Sequence, residues 1–372
     1  MKKKGLIVGA GGISWFAWKL LIVVFLTLTI VLCMLAFLRL QRFPPSHSQN
    51  PSSSVSRRFL HPNWDSISFR GHPKVAFLFL ARRNLPLDFL WKSFFENAEA
   101  DKFSIYIHSE PGFVFNESTT RSSFFHDRQL NNSIKVAWGE ASMIEAERLL
   151  LEQALKDPAN RRFVLLSESC VPLYSFSYIY NYLRASPRSF VDSFLDKKER
   201  RYNPNMSPYI PMSKWRKGSQ WITLIRRHAE VIADDDVVFP VFKMFCKRSH
   251  NCIPDEHYVQ TLLAMHDIEG ELERRTITYT EWNQSATNMD KSSWHPVTFS
   301  YADAGAEQIK RIKDIDNVYY ETEYRTEWCH NNSTQVPCFL FARKFSRGAA
   351  MRLLSEGVIS QFDASAMMDP TP

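Results

Sequence analysis

Apolar residues are distributed along this chain in three distinct ways. From Leu20 to Leu38 they run without interruption (LLIVVFLTLTIVLCMLAFL), with no charge and two threonines. Nineteen residues at about 1.5 Å each span a bilayer core as one helix. A cleavable signal peptide has a shorter apolar region, roughly 7 to 15 residues, that ends in small residues. Here Arg39-Leu40-Gln41-Arg42 follows directly, so the run reads as an uncleaved signal anchor. The second pattern is sparse: residues 43–60 (FPPSHSQNPSSSVSRRFL) are rich in Pro and Ser, the composition of a linker. The expected layout is an N-terminal tail over 1–19, a transmembrane anchor over 20–38, a stem over 39–72 and one folded domain over 73–372.

The third pattern alternates short apolar runs with segments of helical period. Lys74–Ala81 (KVAFLFLA), Phe103–Ser109 (FSIYIHS) and Arg162–Ser169 (RFVLLSES) read as buried strands, with a further strand expected at Ile134–Trp138. Leu87–Asn97 and Ser142–Leu155 read as helices. Strands alternating with helices predict an α/β domain with a mainly parallel central sheet. Ligands of such sheets bind beyond the carboxyl ends of the strands, which points to the loops Ala81–Asn84, His108–Gly112 and Ser167–Pro172. No G-x-G-x-x-G and no P-loop string stands at any of them, so dinucleotide and P-loop chemistry lack support.

Composition then narrows the class. The 372 residues are 45% hydrophobic and 23% charged, enough for a large core, and 12 Gly with 19 Pro show no period. The net charge of +7 invites a nucleic-acid partner, but much of the excess flanks the anchor (Lys2, Lys3, Lys4, Arg39, Arg42, Arg57, Arg58). The run Asp196-Lys197-Lys198-Glu199-Arg200-Arg201 reads as a solvated face, so no nucleic-acid partner is expected. Sequons at Asn116, Asn131, Asn205, Asn283, Asn331 and Asn332 all follow the anchor and favour a luminal body with a cytoplasmic tail. In an oxidising lumen Cys246 with Cys252 and Cys329 with Cys338 are the natural short-loop disulfides, leaving Cys170 as a buried thiol. Asp234-Asp235-Asp236 looks like a metal motif but follows a helical stretch, and reads as a solvated loop. His257 and His295 lack ligand-spaced partners.

Five strings taken in order are specific: VAWGEASMIEAERLLLEQAL (136–155), LLSESCVPL (165–173), WRKGSQW (215–221), CIPDEHYVQTLL (252–263) and PCFLFARKF (337–345). With the anchor and stem, the chain resembles the core-2/I-branching β-1,6-N-acetylglucosaminyltransferase family in its plant form, over about residues 73–355. The resemblance implies a GT-A-type nucleotide-sugar fold, a Golgi type II membrane protein with a luminal catalytic domain, and inverting transfer from a UDP-sugar without a divalent metal. No cofactor beyond that donor is implied. The partners implied are the UDP-sugar, a glycan or glycoprotein acceptor, and the membrane through 20–38.

An in-line displacement needs a base for the acceptor hydroxyl and positive charge for the departing diphosphate. The family's P-D-E motif matches Pro254-Asp255-Glu256 and assigns the base to Glu256, with Asp255 capping or orienting. Lys344 matches the family lysine on the diphosphate. A family arginine upstream of the second cysteine is replaced here by Gln335, with Arg325 and Arg343 as the candidates to stand in. Glu110 falls where the family has an acid near the nucleoside. Trp215, Lys217, Ser219, Gln220 and Trp221, with Trp282, are the candidate acceptor contacts, although buried core positions would explain the tryptophans equally well. No metal ligands are assigned, since Ser167-Glu168-Ser169 is not a D-x-D. The donor sugar stays open between N-acetylglucosamine, xylose and glucuronic acid. The Gln335 departure keeps a catalytically silent glycan-binding member as the alternative, and paired carboxylates keep a glycosidase.

Overall fold

The computed structural model describes residues 24–32, 34, 71–247, 252–282, 295–331 and 334–358. The chain divides into two units, Met1–Ser68 and Phe69–Pro372. In the first, residues 24–32 and 34 are helical (α1) and apolar apart from Thr27 and Thr29. Among the described residues no helix is long and apolar enough to cross a membrane. The tail 1–19, most of the stem 39–72 and both ends of the anchor expected over 20–38 lie outside the described residues, as do Asn283 and Asn332.

The second unit is built on a six-stranded sheet ordered β2-β1-β3-β6-β5-β7. Its strands are β1 (Lys74–Leu80), β2 (Phe103–His108), β3 (Asn160–Ser167), β5 (Ser189–Phe190), β6 (Thr223–Ile225) and β7 (Leu272–Glu273), with β4 (Val171–Pro172) following β3 into another sheet. β2, β1 and β3 are parallel, β6 is antiparallel to both β3 and β5, and β7 is parallel to β5. The sheet is therefore mixed, five strands sharing one direction and β6 reversed. The helices are α2 (Asp88–Glu96), α3 (Ser142–Leu155), α4 (Phe176–Ala185), α5 (Arg226–Ala233), α6 (Val238–Phe245), α7 (Tyr258–Met265), α8 (Ala306–Lys313) and α9 (Arg347–Ser355).

Both faces of the sheet are covered, which is why its central strands read as continuous apolar runs. Successive residues of β1 enter opposite cores. Val75, Phe77 and Phe79 pack with α2, α4 and α9, while Ala76 and Leu78 pack with α3, α5 and α7. Phe77 meets Phe95 edge-on at 5.1 Å and Phe79 meets Trp91 at 5.0 Å, geometries that align the positive ring edge with a negative face. Short antiparallel ribbons, β9 (Asn317–Tyr320) with β10 (Arg325–Trp328) and β11 (His330–Asn331) with β12 (Thr334–Gln335), follow α8.

The strand expected at Ile134–Trp138 is absent. The chain runs there without ladder partners, and Trp138 is exposed. The edge of β2 instead accepts a single bridge from Gln129, with the Ile107 N–H donating to Arg128 O and Leu130 N–H to Ile107 O. Disulfides Cys246–Cys252 and Cys329–Cys338 are present, and Cys170 is a buried free thiol. The described sequons Asn116, Asn131 and Asn205 are exposed.

Asp235 corrects the reading of the aspartate run as solvated. Its side chain is 3% exposed and lies 3.6 Å from Arg148. The carboxylate accepts the N–H groups of Val237, Val238 and Phe239 at 3.0, 2.9 and 2.7 Å and the Tyr258 hydroxyl at 2.8 Å. It satisfies the otherwise orphaned amides that open α6. Asp235→Ala should lower the unfolding free energy by about 3 kcal/mol, through a lost cap plus an orphaned hydroxyl and guanidinium, while Asp235→Asn loses less. Urea denaturation of the full-length chain measures this, and a loss below about 0.5 kcal/mol would refute the capping role.

Candidate active site

The site begins where a second sheet touches the first. Strands β8 (Thr278–Thr280) and β13 (Phe341–Arg343) pair in parallel, and β13 pairs antiparallel with β4. Because β4 starts four residues after β3 ends, β13 is carried to the carboxyl end of β3, where the Phe345 N–H donates to Ser169 O at 3.0 Å. Arg343 and Lys344 are thereby delivered to the edge at which an α/β sheet binds ligands.

Three loops meet them. The Ala81 N–H donates to His108 O at 2.9 Å and the Glu110 N–H to Arg82 O at 3.1 Å, joining the turns after β1 and β2. Glu168, after β3, accepts from the Arg82 amide at 2.6 Å and the Arg82 Nε at 2.7 Å. Lys344 is half-buried, and its ammonium is pushed below its ordinary value by burial, then by Arg343 and Arg82, with Glu168 opposing. Three cations thus crowd one edge, and an anion placed there would relieve their repulsion. Glu110 is exposed and lies 3.6 Å from Arg83.

Arg343 reaches inward. Its guanidinium lies 4.3 Å from the centroid of Trp221 and its Nε has no hydrogen-bond acceptor. Burial lowers its pKa, while the negative charges of Glu256, Asp255 and Glu168 oppose that shift. Other buried polar atoms without partners lie near it: Asp255 Oδ1 in the turn before α7, Gln260 Oε1 in α7, Thr280 Oγ1 at the end of β8 and Glu281 Oε2 just after it. Buried polar groups are ordinarily satisfied, so a set of orphans beside β8, β13 and one turn marks a place where a polar ligand would complete the bonding.

That turn, Pro254–Glu256, precedes α7 and begins from Ile253 with a left-handed φ of 46°. Glu256 is 24% exposed, and its carboxylate lies 3.7 Å from Lys217 Nζ. Its carbonyl accepts the Gly218 N–H at 2.9 Å, tying the WRKGSQW segment to the turn. Burial pushes the Glu256 carboxyl up, Lys217 opposes this, and Asp255 adds to it. Burial pushes Asp255 up to about 6. Glu147 on α3, charge-coupled to Asp255 and bonded to Gln220 Nε2 at 2.7 Å, is also pushed well above the usual carboxylate range by burial.

The expected acceptor residues part company here. Lys217, Gln220 and Trp221 join the Glu256–Arg343 neighbourhood. Ser219 supports the loop, its N–H donating to Asp192 Oδ2 at 3.0 Å and its hydroxyl accepting the Trp221 N–H. Trp215 is core: its ring stacks on His257 at 4.7 Å and Phe242 at 5.4 Å and its Nε1 donates to Asp196, leaving no face for a sugar. Trp282 is exposed beside residues outside the described set. Arg325 is not brought to the cationic edge. Its guanidinium lies between Glu323 and Glu327, covers the Tyr320 ring and donates to Ser193 O. Gln335 is exposed in β12. Arg82, Glu147 and Asp192 escape the sequence reading, although Arg82-Arg83 directly after an expected strand is a usable signal.

A family model for the core-2/I-branching enzyme matches residues 75–313. The chain belongs to the core-2/I-branching enzyme family. Within it, the glycosyltransferase BC10 of rice (Oryza sativa subsp. japonica) is 53% identical over 318 residues, 80% of each chain. Two solved structures of LgtC are 10% identical. One, an active-site mutant, has a TM-score of 0.34 and covers 72% of this chain and 86% of that one. The other, a galactosyltransferase complex with donor and acceptor sugar analogues, has a TM-score of 0.31 and covers 55% and 75%. That likeness is too slight to carry an argument. The family match includes the β1–β3 edge and Glu256 but ends before Arg343 and Lys344.

The buried Asp255 makes a titration prediction for this core-2/I-branching protein. Its folded pKa is raised, so between about 4 and 6 the folded chain holds a proton that the unfolded chain has released, and stability falls as pH rises through that window. Asp255→Asn removes this effect. Its stability relative to wild type should improve from pH 4 to 7 by about 3 kcal/mol, since each tenfold change in proton affinity corresponds to roughly 1.4 kcal/mol. Denaturant titrations at a series of pH values measure the difference, and a pH-independent difference would show that Asp255 is not held protonated.

Proposed function

We propose that the chain is an inverting glycosyltransferase with a GT-A-type fold that moves a sugar from a UDP-sugar to a glycan or glycoprotein acceptor. The observation that carries this reading is the convergence, on the carboxyl edge of one α/β sheet, of the cationic pair Arg343–Lys344 with the raised, partly open carboxylate Glu256. Family membership supplies the reaction class.

In this reading the acceptor hydroxyl gives its proton to Glu256 as its oxygen bonds to the sugar's anomeric carbon. The bond from that carbon to the diphosphate breaks on the opposite face, and its electron pair leaves with UDP. A carboxylate raised by burial is a stronger base than an ordinary one, which suits proton removal near neutral pH. Lys344 and Arg343 take the developing phosphate charge, Lys344 as a point charge and Arg343 through its unbonded Nε, with Arg82 beside them. Arg343, already at the edge, takes the role left open by Gln335. Glu110 lies on the loop that would meet the nucleoside. The acceptor lies along Lys217, Gln220 and Trp221, with Trp282 at the rim. We place the protein in the Golgi membrane as a single-pass type II protein anchored through 20–38, its catalytic domain luminal, and its reaction independent of a divalent metal. Among the described residues no three His, Cys, Asp or Glu side chains gather as a metal site.

UDP added to the full-length chain in excess EDTA should raise its thermal stability, by about 2.7 kcal/mol at 100 times Kd. Lys344→Ala should abolish that gain, and Glu256→Gln should keep it while lowering turnover by roughly 100-fold or more, on the order expected for a lost general base. Stabilisation that requires manganese, or turnover that survives Glu256→Gln, would overturn this reading.

A further inference from the structure

The charged run read as a solvated face contains a residue wired to the base. Lys217 Nζ lies between two carboxylates, in direct contact with Glu199 and 3.7 Å from Glu256. The backbone from which the amine extends is pinned at both main-chain groups. Its N–H donates to Phe194 O and its carbonyl accepts the Phe194 N–H, each at 2.8 Å, and the next amide, that of Gly218, is bound to Glu256 O. Glu199 is equally held. Its N–H donates to Asp196 Oδ1 at 3.2 Å, and its carboxylate accepts from Arg201 Nε at 3.2 Å. Asp196 also takes the Arg201 N–H at 2.7 Å and the Trp215 Nε1 at 3.2 Å. The loop that carries Glu199 is therefore folded around a fixed carboxylate and anchored to the core.

Of the two carboxylates beside it, the Lys217 ammonium is in contact with Glu199 and stands 3.7 Å from Glu256, so its close pairing is with Glu199. We propose that Glu199 is a positioning residue that holds the Lys217 ammonium off the Glu256 carboxylate, leaving Glu256 free to receive the acceptor's proton. Without Glu199 the ammonium closes on Glu256, weakens it as a base and occupies the space of the incoming hydroxyl. The arrangement also explains an acid and a lysine kept in contact at a rim where an isolated surface pair contributes little to stability. The inference rests on Glu256 being the base of the proposed reaction.

The titratable groups facing Glu256 are Lys217 and Glu199 from their two loops, Asp255 and His257 from its own turn, and Arg343 from β13. Of these, Lys217 lowers the Glu256 pKa and Glu199 raises it. The signs of the two variants are consequently opposite. In Glu199→Gln the acid limb of kcat/KM should move to lower pH by roughly one pH unit and kcat at pH 7 should fall about tenfold, with donor KM unchanged. In Lys217→Met the limb should move to higher pH. Adding Lys217→Met to Glu199→Gln should return the acid limb toward its wild-type pH, and Glu199→Asp should retain most of the wild-type kcat. Asp255→Asn in each background keeps a titrating Asp255 from being mistaken for the base.

A second measurement needs no turnover. In the full-length chain carrying 13C-labelled glutamate, the carboxyl resonance lost in Glu256→Gln should titrate at lower pH in Glu199→Gln than in wild type. A resonance that does not move or moves upward, or an acid limb unchanged while kcat falls, would overturn the positioning role. Turnover surviving Glu256→Gln would instead sink the reading of Glu256 as base, a separate failure that the resonance titration does not share.

Discussion

The site depends on one pairing, that of β13 with β4. Two residues of β4 follow β3 after a three-residue turn, so any strand that pairs with them is placed at the carboxyl end of the central sheet. β13 is the strand that does so, and it brings Arg343 and Lys344 from near the C-terminus to loops formed more than 170 residues earlier in the chain. Removing that ladder would leave the edge with Arg82 and Arg83 but without Lys344 and without Arg343, which faces the Glu256 turn. The parallel partner β8 braces β13 from the other side and places the unbonded Thr280 and Glu281 oxygens along the same ladder.

Charge at this edge is held in a state that the protein by itself does not favour. Arg343 and Lys344 are both pushed down by burial, and Glu256, Asp255 and Glu147 are all pushed up by it. Each group is displaced toward neutrality, as expected when charges leave water with incomplete compensation. Strained electrostatics of this kind belong to sites that gain a charged or polar ligand, since the fold must hold them with contacts made elsewhere. Here those contacts are the two aromatic-rich cores on either face of β1.

Much of the fold was legible because central strands buried on both faces carry an unbroken apolar signal. β1, β2, β3 and α3 fall where the apolar pattern places them, within two residues at each end. The reversed strand β6 and the two-residue strands β4, β5 and β7 were not legible, because segments so short have no periodicity to read. Ile134–Trp138 has the composition of a strand but no partner, since β2 closes the sheet with a single bridge to Gln129. Of the site, the turn carrying Glu256 and the Arg343–Lys344 pair came from the resemblance, and the apolar pattern alone would have left them a helix start and a strand end. Whether a tryptophan in WRKGSQW faces a ligand or the core depends on contacts between distant segments, and Trp215 and Trp221 proved to have different surroundings.

The largest misreading concerned aspartates in polar runs. Asp196 and Asp235 look like solvated charge in sequence, yet each accepts backbone N–H groups and organises a loop, and Asp192, which the sequence did not single out, likewise accepts the Ser219 N–H. A short carboxylate with four lone-pair sites can gather amides that no strand or helix satisfies, and it then becomes buried by the loop that it folds. Asp192 shows the consequence for chemistry. Its carboxylate takes the Ser219 N–H and the Tyr320 hydroxyl, drawing the WRKGSQW segment so close that a Cβ on Gly218 would lie 1.8 Å from the Asp192 carbonyl oxygen. Only glycine fits at that approach. Lys217 beside Glu256 and Trp221 beneath Arg343 lie on the segment that this glycine fixes, so their backbones are positioned by a close packing contact, and loop packing rather than the sheet brings the Lys217 segment to the Glu256 turn.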